Sequence, residues 1–486
     1  MTISTASAAG TPGTVSATGT PETGELAAHL ARGLPRDFVW GAATSSYQIE
    51  GATTEDGRGP CIWDTFARTR GKTRGGESGD VAVDHYHRYR EDVALMADLS
   101  LAAYRFSVAW PRVVPTGSGT VNRAGLAFYD RLVDELLSAG IDPWITLYHW
   151  DLPQPLQDLG GWANRDTAAR FAEYADHVAA ALGDRVKHWS TLNEPWCSAF
   201  EGHLTGRHAP GMQSAHATVR SVHHLLLAHA LGTEVLRARG VSDVGITLNL
   251  IPAESPEDSP AARDAVRLVD GQTIRLWLDP LLRGSYPDDV VADFAKVGAE
   301  LPIVDGDLAR ISAPVDWVGI NYYAPHIVVS GPDPDPTPMP FVAADNLTRV
   351  KSTEDVTALD WPIRPRSFAA LLRRLAADYP GTAWYVHENG AAYLDEPVAD
   401  GRVPDPERLR YVVLHLDVVR EVIQDGVDIR GYFVWSLLDN YEWAEGYKMR
   451  FGVVHVDFDT LVRTPKSSAL WYSHLIREHR AANGTL

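Results

Sequence analysis

Hydrophobic and polar positions alternate along this chain in two rhythms. From residue 38 onward, short apolar runs of strand character are each followed by a longer segment in which apolar residues return every three or four positions. "FVWGAATSSYQIEG" leads to "YREDVALMADLS", "AAYRFSVAW" to "NRAGLAFYDRLVDELLSAG", "DPWITLYHW" to "RDTAARFAEYADHVAAALGD", and "VKHWSTLNEP" to "HATVRSVHHLLLAHALGTEVLRARG". "VGITLNL", "VDWVGINYYA", "TAWYVHENG" and "IRGYFVWSLLDN" continue the series, each with its helical partner. Eight strand-then-helix units predict a parallel sheet closed on itself, so the fold class is α/β, a single (β/α)8 TIM barrel. An open doubly wound sheet competes, but no GxGxxG follows the first strand and no GxxxxGK[ST] occurs. The Pro- and Asp-rich stretch 330–365 breaks the rhythm after the sixth strand and predicts a loop insertion at the C-terminal face of the strands.

The first 30 residues are rich in Thr, Ala, Gly and Ser and carry no such rhythm, which predicts a disordered tail over 1–30 and a catalytic barrel over 31–486. With neither a basic n-region nor an apolar h-region at the start, and no apolar run near the length of a membrane span, the expectation is a cytoplasmic protein with no membrane partner. The 63 acidic against 44 basic side chains give a net charge of −19, which disfavours nucleic acid and points to a small neutral ligand. Two cysteines, Cys61 and Cys197, cannot build a disulfide framework and show no CxxC spacing. Histidines in "DHYHRY" and "SVHHLL" lack HExxH spacing and fall in helical segments, so metal catalysis is not expected. Nothing in the pattern decides for or against a homo-oligomer.

In a barrel of this kind the interior is packed, here expected to be with aliphatic side chains, and chemistry collects at the C-terminal strand ends. Those ends are polar: Gln48 and Glu50, Arg105, His149 and Trp150, Asn193 and Glu194, Asn321 and Tyr323, His387, Glu388 and Asn389, Trp435, then Glu442 and Trp443. Each taken alone reads as a solvated rim residue. Together they place two Glu–Asn neighbours, on the fourth and seventh strands, across one mouth, and two carboxyls facing each other are what cleavage of a glycosidic bond requires. One must be protonated to release the leaving oxygen and the other ionised to attack the anomeric carbon. Arg105 either holds one carboxylate ionised or forms a plain interior ion pair; residue type alone leaves both open. The neutral amides and the tryptophans suit a ligand with many hydroxyls and apolar C–H faces.

The motifs resemble those of family 1 glycoside hydrolases of β-glucosidase type: "FVWGAATSSYQIEGA" at 38–52, "YRFSVAWPR" at 104–112, "YHWDLP" at 148–153, "TLNEP" at 191–195, "GINYY" at 319–323, "HENG" at 387–390 and "WSLLDNYEWAEGYKMRFGVVHVDF" at 435–458. They stand in family order and span residues 36 to 480. The resemblance implies a retaining enzyme with Glu194 as acid/base and Glu388 as nucleophile. It further implies Gln48, His149, Asn193, Glu442 and Trp443 as sugar contacts, with Trp150 and Phe451 among the substrate-binding side chains and Trp435 as an aromatic floor. Tyr323 becomes a partner of the nucleophile, and Arg105 and Asn321 its supports. The implied partner is a small β-glycoside or oligosaccharide, with tolerance for β-galactosides and β-fucosides, and no metal or organic cofactor is implied.

His387 departs from the family, which more usually has Thr there; it either adjusts Glu388 or is packed, and packing is the favoured reading. Cys197 reads as a small buried thiol. Two alternatives remain: a 6-phospho-β-glycosidase, which needs cations where "NYEWAEGYKM" offers Glu442, and a non-catalytic sugar-binding homologue, against which both glutamates stand intact.

Overall fold

Eight parallel strands close into a ring in the computed structural model of the protein, which describes residues 2–5, 13–16, 21–398 and 400–484. They are β1 (Val39–Ala43), β2 (Ala103–Ser107), β3 (Asp142–Tyr148), β4 (His188–Asn193), β5 (Asp243–Asn249), β6 (Trp317–Asn321), β7 (Trp384–Asn389) and β8 (Ile429–Trp435). Each pairs with its neighbour in sequence, and β8 returns to β1. The expected TIM barrel is therefore the fold, with every predicted apolar run a barrel strand.

The helices follow from local chemistry. Arg123–Ser138 buries Phe128, Tyr129, Leu132, Val133 and Leu136, a stripe at helical spacing that faces the barrel. Ser214 starts the long helix Ala215–Ala238 by accepting the Ala217 amide on its side chain. Pro260, Pro365 and Pro406 open helices at a position whose N–H would have no partner. The fifth predicted helix is not continuous. Pro260–Asp270 passes through a π turn at Gly271–Arg275 into Leu276–Leu282, with Pro280 inside, and both features bend a helix away from a straight course.

The barrel interior differs from the aliphatic packing expected. Trp144, Trp317, Tyr385 and Phe433 fill it, with Ala43 and Ala103 between them. Glycines make the room: a Cβ at Gly41 would lie 2.3 Å from the Phe433 ring, and one at Gly245 would lie 2.3 Å from the Trp317 ring. Large rings opposite missing side chains keep the density of a close-packed core.

The N-terminal expectation needs correction. Residues 1, 6–12 and 17–20 of the expected tail lie outside the described residues, but Pro21–Ala31 form a helix against the C-terminal helix Ser467–Asn483, with Ala27, Leu30 and Ala31 buried. The apolar positions of "ELAAHLA" supply one face, which the low-complexity stretch before them concealed. The insertion after β6 is partly ordered as a sheet: Leu347–Arg349 pairs antiparallel with His326–Ser330, which pairs parallel with Ala253–Glu254. Among the described residues no helix is long and apolar enough to cross a membrane.

Candidate active site

The two carboxyls are placed by irregular backbone. On β7 the alternation sends Tyr385 inward among the barrel aromatics and Val386 outward into the shell between strands and helices. His387 faces inward again, so a regular strand would send Glu388 out. Against β6, however, Val386 pairs with Ile320 and Glu388 with Asn321, leaving one extra residue on β7. This bulge turns Glu388 inward beside His387. On β4 the register runs from Ser190–Gly245 to Asn193–Thr247, again one extra residue, and Asn193 faces the interior. Glu194 follows with φ of +45°, a left-handed conformation costly for a side chain with a Cβ. Trp150 at +75° and Trp443 at +51° share that conformation, so strained backbone gathers around one pocket.

That pocket has a volume of about 250 Å³ and is lined by His149, Trp150, Glu194, Tyr323, Glu388, Trp435, Glu442, Trp443 and Phe451. Gln48, Arg105, Asn193 and Asn321 stand behind it, buried and hydrogen-bonded to its walls. The side chains expected as catalytic, sugar-binding or supporting groups therefore meet in one place. Glu50 does not: it accepts from Arg112 at 3.0 Å and Tyr129 at 2.7 Å on the far side of the short helix Ser46–Ile49.

Glu388 and Glu194, 3% and 6% exposed, have unequal partners. Glu388 accepts from the Arg105 guanidinium at 2.7 Å on Oε1 and from the Tyr323 hydroxyl at 2.6 Å on Oε2. Glu194 accepts from the Asn321 amide at 2.6 Å and from the Cys197 thiol at 3.1 Å. Burial pushes both carboxyls above their usual range. For Glu388 the push is opposed by the Arg105 charge and by the Tyr323 hydrogen bond. For Glu194 burial and the neighbouring Glu388 charge act together and carry it to about 8. The cation and the hydroxyl favour an ionised Glu388, so the proton of the pair resides on Glu194.

Asn193 carries this asymmetry to His149. Guanidinium can only donate, so the Asn193 oxygen must face Arg105, at 2.6 Å, and it also accepts from Asn321 at 3.1 Å. The Asn193 nitrogen then donates to His149 Nε2 at 3.0 Å, which leaves the His149 proton on Nδ1, a buried donor with no partner among the described residues. Burial and the Arg105 charge keep that imidazole neutral. The ring lies nearly parallel to Trp435 and to Trp443, with centroids 5.7 and 5.9 Å away.

The Gln48 amide, fully buried, donates to Asn440, to the Tyr441 carbonyl and to Glu442, while its oxygen accepts from Ser45. It is thus a brace for Glu442 as well as a neighbour of the pocket. Burial first, then the Glu388 and Glu194 charges, push Glu442 to about 8. His387 is packed, as favoured: it lies between Trp144, Trp317 and Phe433, bonds to Thr247 at 2.8 Å, and is kept neutral by burial. Gly319 of "GINYY" accommodates it, since a Cβ there would lie 2.5 Å from the ring.

Sequence reasoning missed the thiol contact to Glu194, although the spacing Glu194–Cys197 is one helical turn and carried the signal. It also missed the outer wall of Trp196, His208, Leu359 and Trp361, which loops deliver and no periodicity marks. Trp361 comes from the 330–365 insertion, which does reach over the mouth.

Known proteins resemble this chain in sequence and in fold. The chain is 52% identical over 466 residues to the thermostable beta-glucosidase B of Thermobispora bispora, covering 95% of each protein. It is 43% identical to a bifunctional beta-D-glucosidase/beta-D-fucosidase of Bifidobacterium breve, covering 92% of this chain and 99% of that one. The crystal structure of a psychrophilic beta-glucosidase from Micrococcus antarcticus superposes with a TM-score of 0.89 at 50% identity, over 93% of this chain and 98% of the other. The profile of glycosyl hydrolase family 1 matches residues 30–481, and the chain belongs to that family of glycoside-cleaving enzymes.

Proposed function

We propose that residues 31–486 act as one catalytic domain, a retaining β-glucosidase that removes terminal β-glucosyl residues by double displacement, with Glu388 as nucleophile and Glu194 as acid/base. The observation that carries this reading is the unequal setting of two buried carboxyls, one against a guanidinium and a phenol, the other against an amide and a thiol. In the first step Glu388 attacks the anomeric carbon while the Glu194 proton passes to the departing oxygen. The charge on Glu388 is consumed in the new ester, the repulsion that held the proton on Glu194 disappears, and Glu194 is left ionised. It then takes a proton from water, whose oxygen displaces Glu388 and restores the β configuration.

The Nδ1–H of His149, the amide of Asn193 and the carboxyl of Glu442 supply hydrogen bonds to ring hydroxyls. Trp435 packs on the C–H face, and Trp150, Trp443 and Phe451 complete the wall. A site that meets hydroxyls through several neutral groups adapts to an epimeric or deoxy change, which supports tolerance for β-galactosides and β-fucosides; a relative named for both glucosidase and fucosidase activity fits this. The 6-phospho alternative is disfavoured. Burial and the neighbouring carboxyls raise Glu442 to about 8, so its repulsion of phosphate is partial, but the only cationic side chain among the described pocket residues is Arg207, which pairs at the rim with Glu445 at 3.5 Å.

The test separates the two glutamates. Glu388→Ala is expected to be nearly inactive on every substrate. Glu194→Ala is expected to form the glycosyl-enzyme from a dinitrophenyl glucoside and, with azide, to release a β-glucosyl azide. Rescue to that β product by Glu388→Ala instead would reverse the assignment. Proton NMR of the first-formed sugar is expected to show the β anomer; the α anomer would exclude retention.

A further inference from the structure

We propose that Cys197 is a positioning residue for the second half of the reaction: its thiol, held by Asn249, orients Glu194 and stabilises its charged form. The proposal rests on the assignment of Glu194 as acid/base. Cys197 lies one turn after Glu194, and its backbone N–H returns to the Glu194 carbonyl at 2.9 Å, so the thiol and the carboxyl share one face of the turn. Sγ accepts from the Asn249 amide at 3.7 Å, which occupies a sulfur lone pair and leaves the S–H to Glu194 Oε2 at 3.1 Å. Asn249 and Asn321 are register partners at the ends of β5 and β6. One amide thus reaches Oε1 directly and the other reaches Oε2 through sulfur.

A donor at this place favours the carboxylate over the acid, which suits a group that must give up its proton in one step and hold a charge in the next. The charged and titratable groups around Glu194 are Glu388 on β7, Arg105 on β2, Tyr323 after β6, Glu442 after β8, and Cys197 and Glu201 on its own following turns. Burial and the neighbouring carboxylates hold the thiol far above its ordinary value, so it remains a donor through the working range and adds no charge of its own.

The experiment compares wild type, Cys197→Ala, Cys197→Ser and Glu194→Gln across pH, with kcat/KM measured on phenyl β-glucoside, whose leaving group needs the acid, and kcat on 2,4-dinitrophenyl β-glucoside. Loss of the donor destabilises ionised Glu194, so Cys197→Ala is expected to move the alkaline limb of kcat/KM upward by about half a unit to one unit, a weak donor's share of a charge-assisted hydrogen bond. The acid limb of kcat, which on the dinitrophenyl glucoside reports hydrolysis of the glycosyl-enzyme, is expected to move the same way. Cys197→Ser restores an O–H donor and is expected to keep both limbs at or below their wild-type positions. Limbs of Cys197→Ala that superpose on wild type, or an equal shift in Cys197→Ser, would overturn the proposal while the loss of the alkaline limb in Glu194→Gln leaves the acid/base assignment standing. An alkaline limb retained in Glu194→Gln would remove that assignment and the proposal with it.

Discussion

Arg105 offers the most direct test of the charge logic in the pocket. Its guanidinium, 1% exposed, donates to Glu388 Oε1 at 2.7 Å, to Asn193 Oδ1 at 2.6 Å and to Thr146 Oγ1 at 3.1 Å. In Arg105→Met the carboxylate of Glu388 loses a charge-assisted hydrogen bond, about 1.5–3 kcal/mol, which converts to about 1–2 pH units at 1.36 kcal/mol per unit. The sign follows from which form is lost: removing a cation penalises the carboxylate, so the proton affinity of Glu388 rises. In wild type the alkaline limb of kcat/KM is expected near pH 8, where Glu194 loses its proton. In the variant the acid limb moves up by about one to two units, the alkaline limb follows by less because Arg105 also lowers Glu194, and the bell narrows from its acid side. The assay is kcat/KM for 4-nitrophenyl β-glucoside from pH 4 to 10. Breaking a buried pair costs about 3–5 kcal/mol of stability, so the profile is taken below the variant's own melting temperature, with the folded state checked by circular dichroism. An acid limb that stays in place in folded Arg105→Met would refute the claim that this cation holds the nucleophile ionised.

Three further outcomes are expected. Glu442→Ser should lower kcat/KM for the plain glucoside by about a hundredfold, through loss of strong hydrogen bonds to hydroxyls, and narrow the preference over the 6-phosphoglucoside without making the latter a good substrate; a higher kcat/KM for the phosphorylated sugar in wild type would overturn the substrate reading. Gly390→Ala places a Cβ 1.8 Å from the Trp435 carbonyl oxygen, a backbone atom that cannot step aside, so denaturant unfolding should register a loss of about 3 kcal/mol or more, and an unchanged midpoint would contradict it. His188, at the opposite end of the barrel, lies between Asp142 and Asp243; burial lowers its proton affinity, but the two carboxylates outweigh that and raise it from 6.5 to about 9. Because the folded value is the higher one, this stabilisation, at most on the order of 3 kcal/mol, is fully present below pH 6.5 and disappears as pH rises through 9. The melting temperature of wild type should therefore fall more between pH 7 and 10 than that of His188→Gln, and parallel curves would remove His188 from the account.

The barrel was legible in the sequence because its rule is repetitive: eight apolar runs, eight helical stripes, and a stable closure at that number. The tail boundary and the broken fifth helix were not, since a short helix of "ELAAHLA" hides in low-complexity surroundings, and propensity alone does not fix where a helix passes through a π turn. The aromatic filling of the interior escaped as well. Alternation identifies which residues face inward, but the pairing of Phe433 with Gly41 and of Trp317 with Gly245 is a relation between strands far apart in the chain.

The site was legible as a set of motifs and illegible as geometry. Period-two alternation, applied strictly to β7, sends His387 into the barrel and Glu388 out of it, so pattern reasoning without the motif would have chosen the wrong side chain. The single extra residue on β7 makes 387 and 388 both face inward, and the matching extra residue on β4 exchanges Leu192, which stays in the outer core, for Asn193. These two bulges bring Arg105, Asn193 and Glu388 within hydrogen-bond reach, while the left-handed backbone at 194 adds the second carboxyl. Deletion of His387 restores regular pairing of β7 with β6 and, because the residue after Val386 points inward, keeps Glu388 on the inner face opposite Asn321, while removing the ring that packs between Trp144, Trp317 and Phe433.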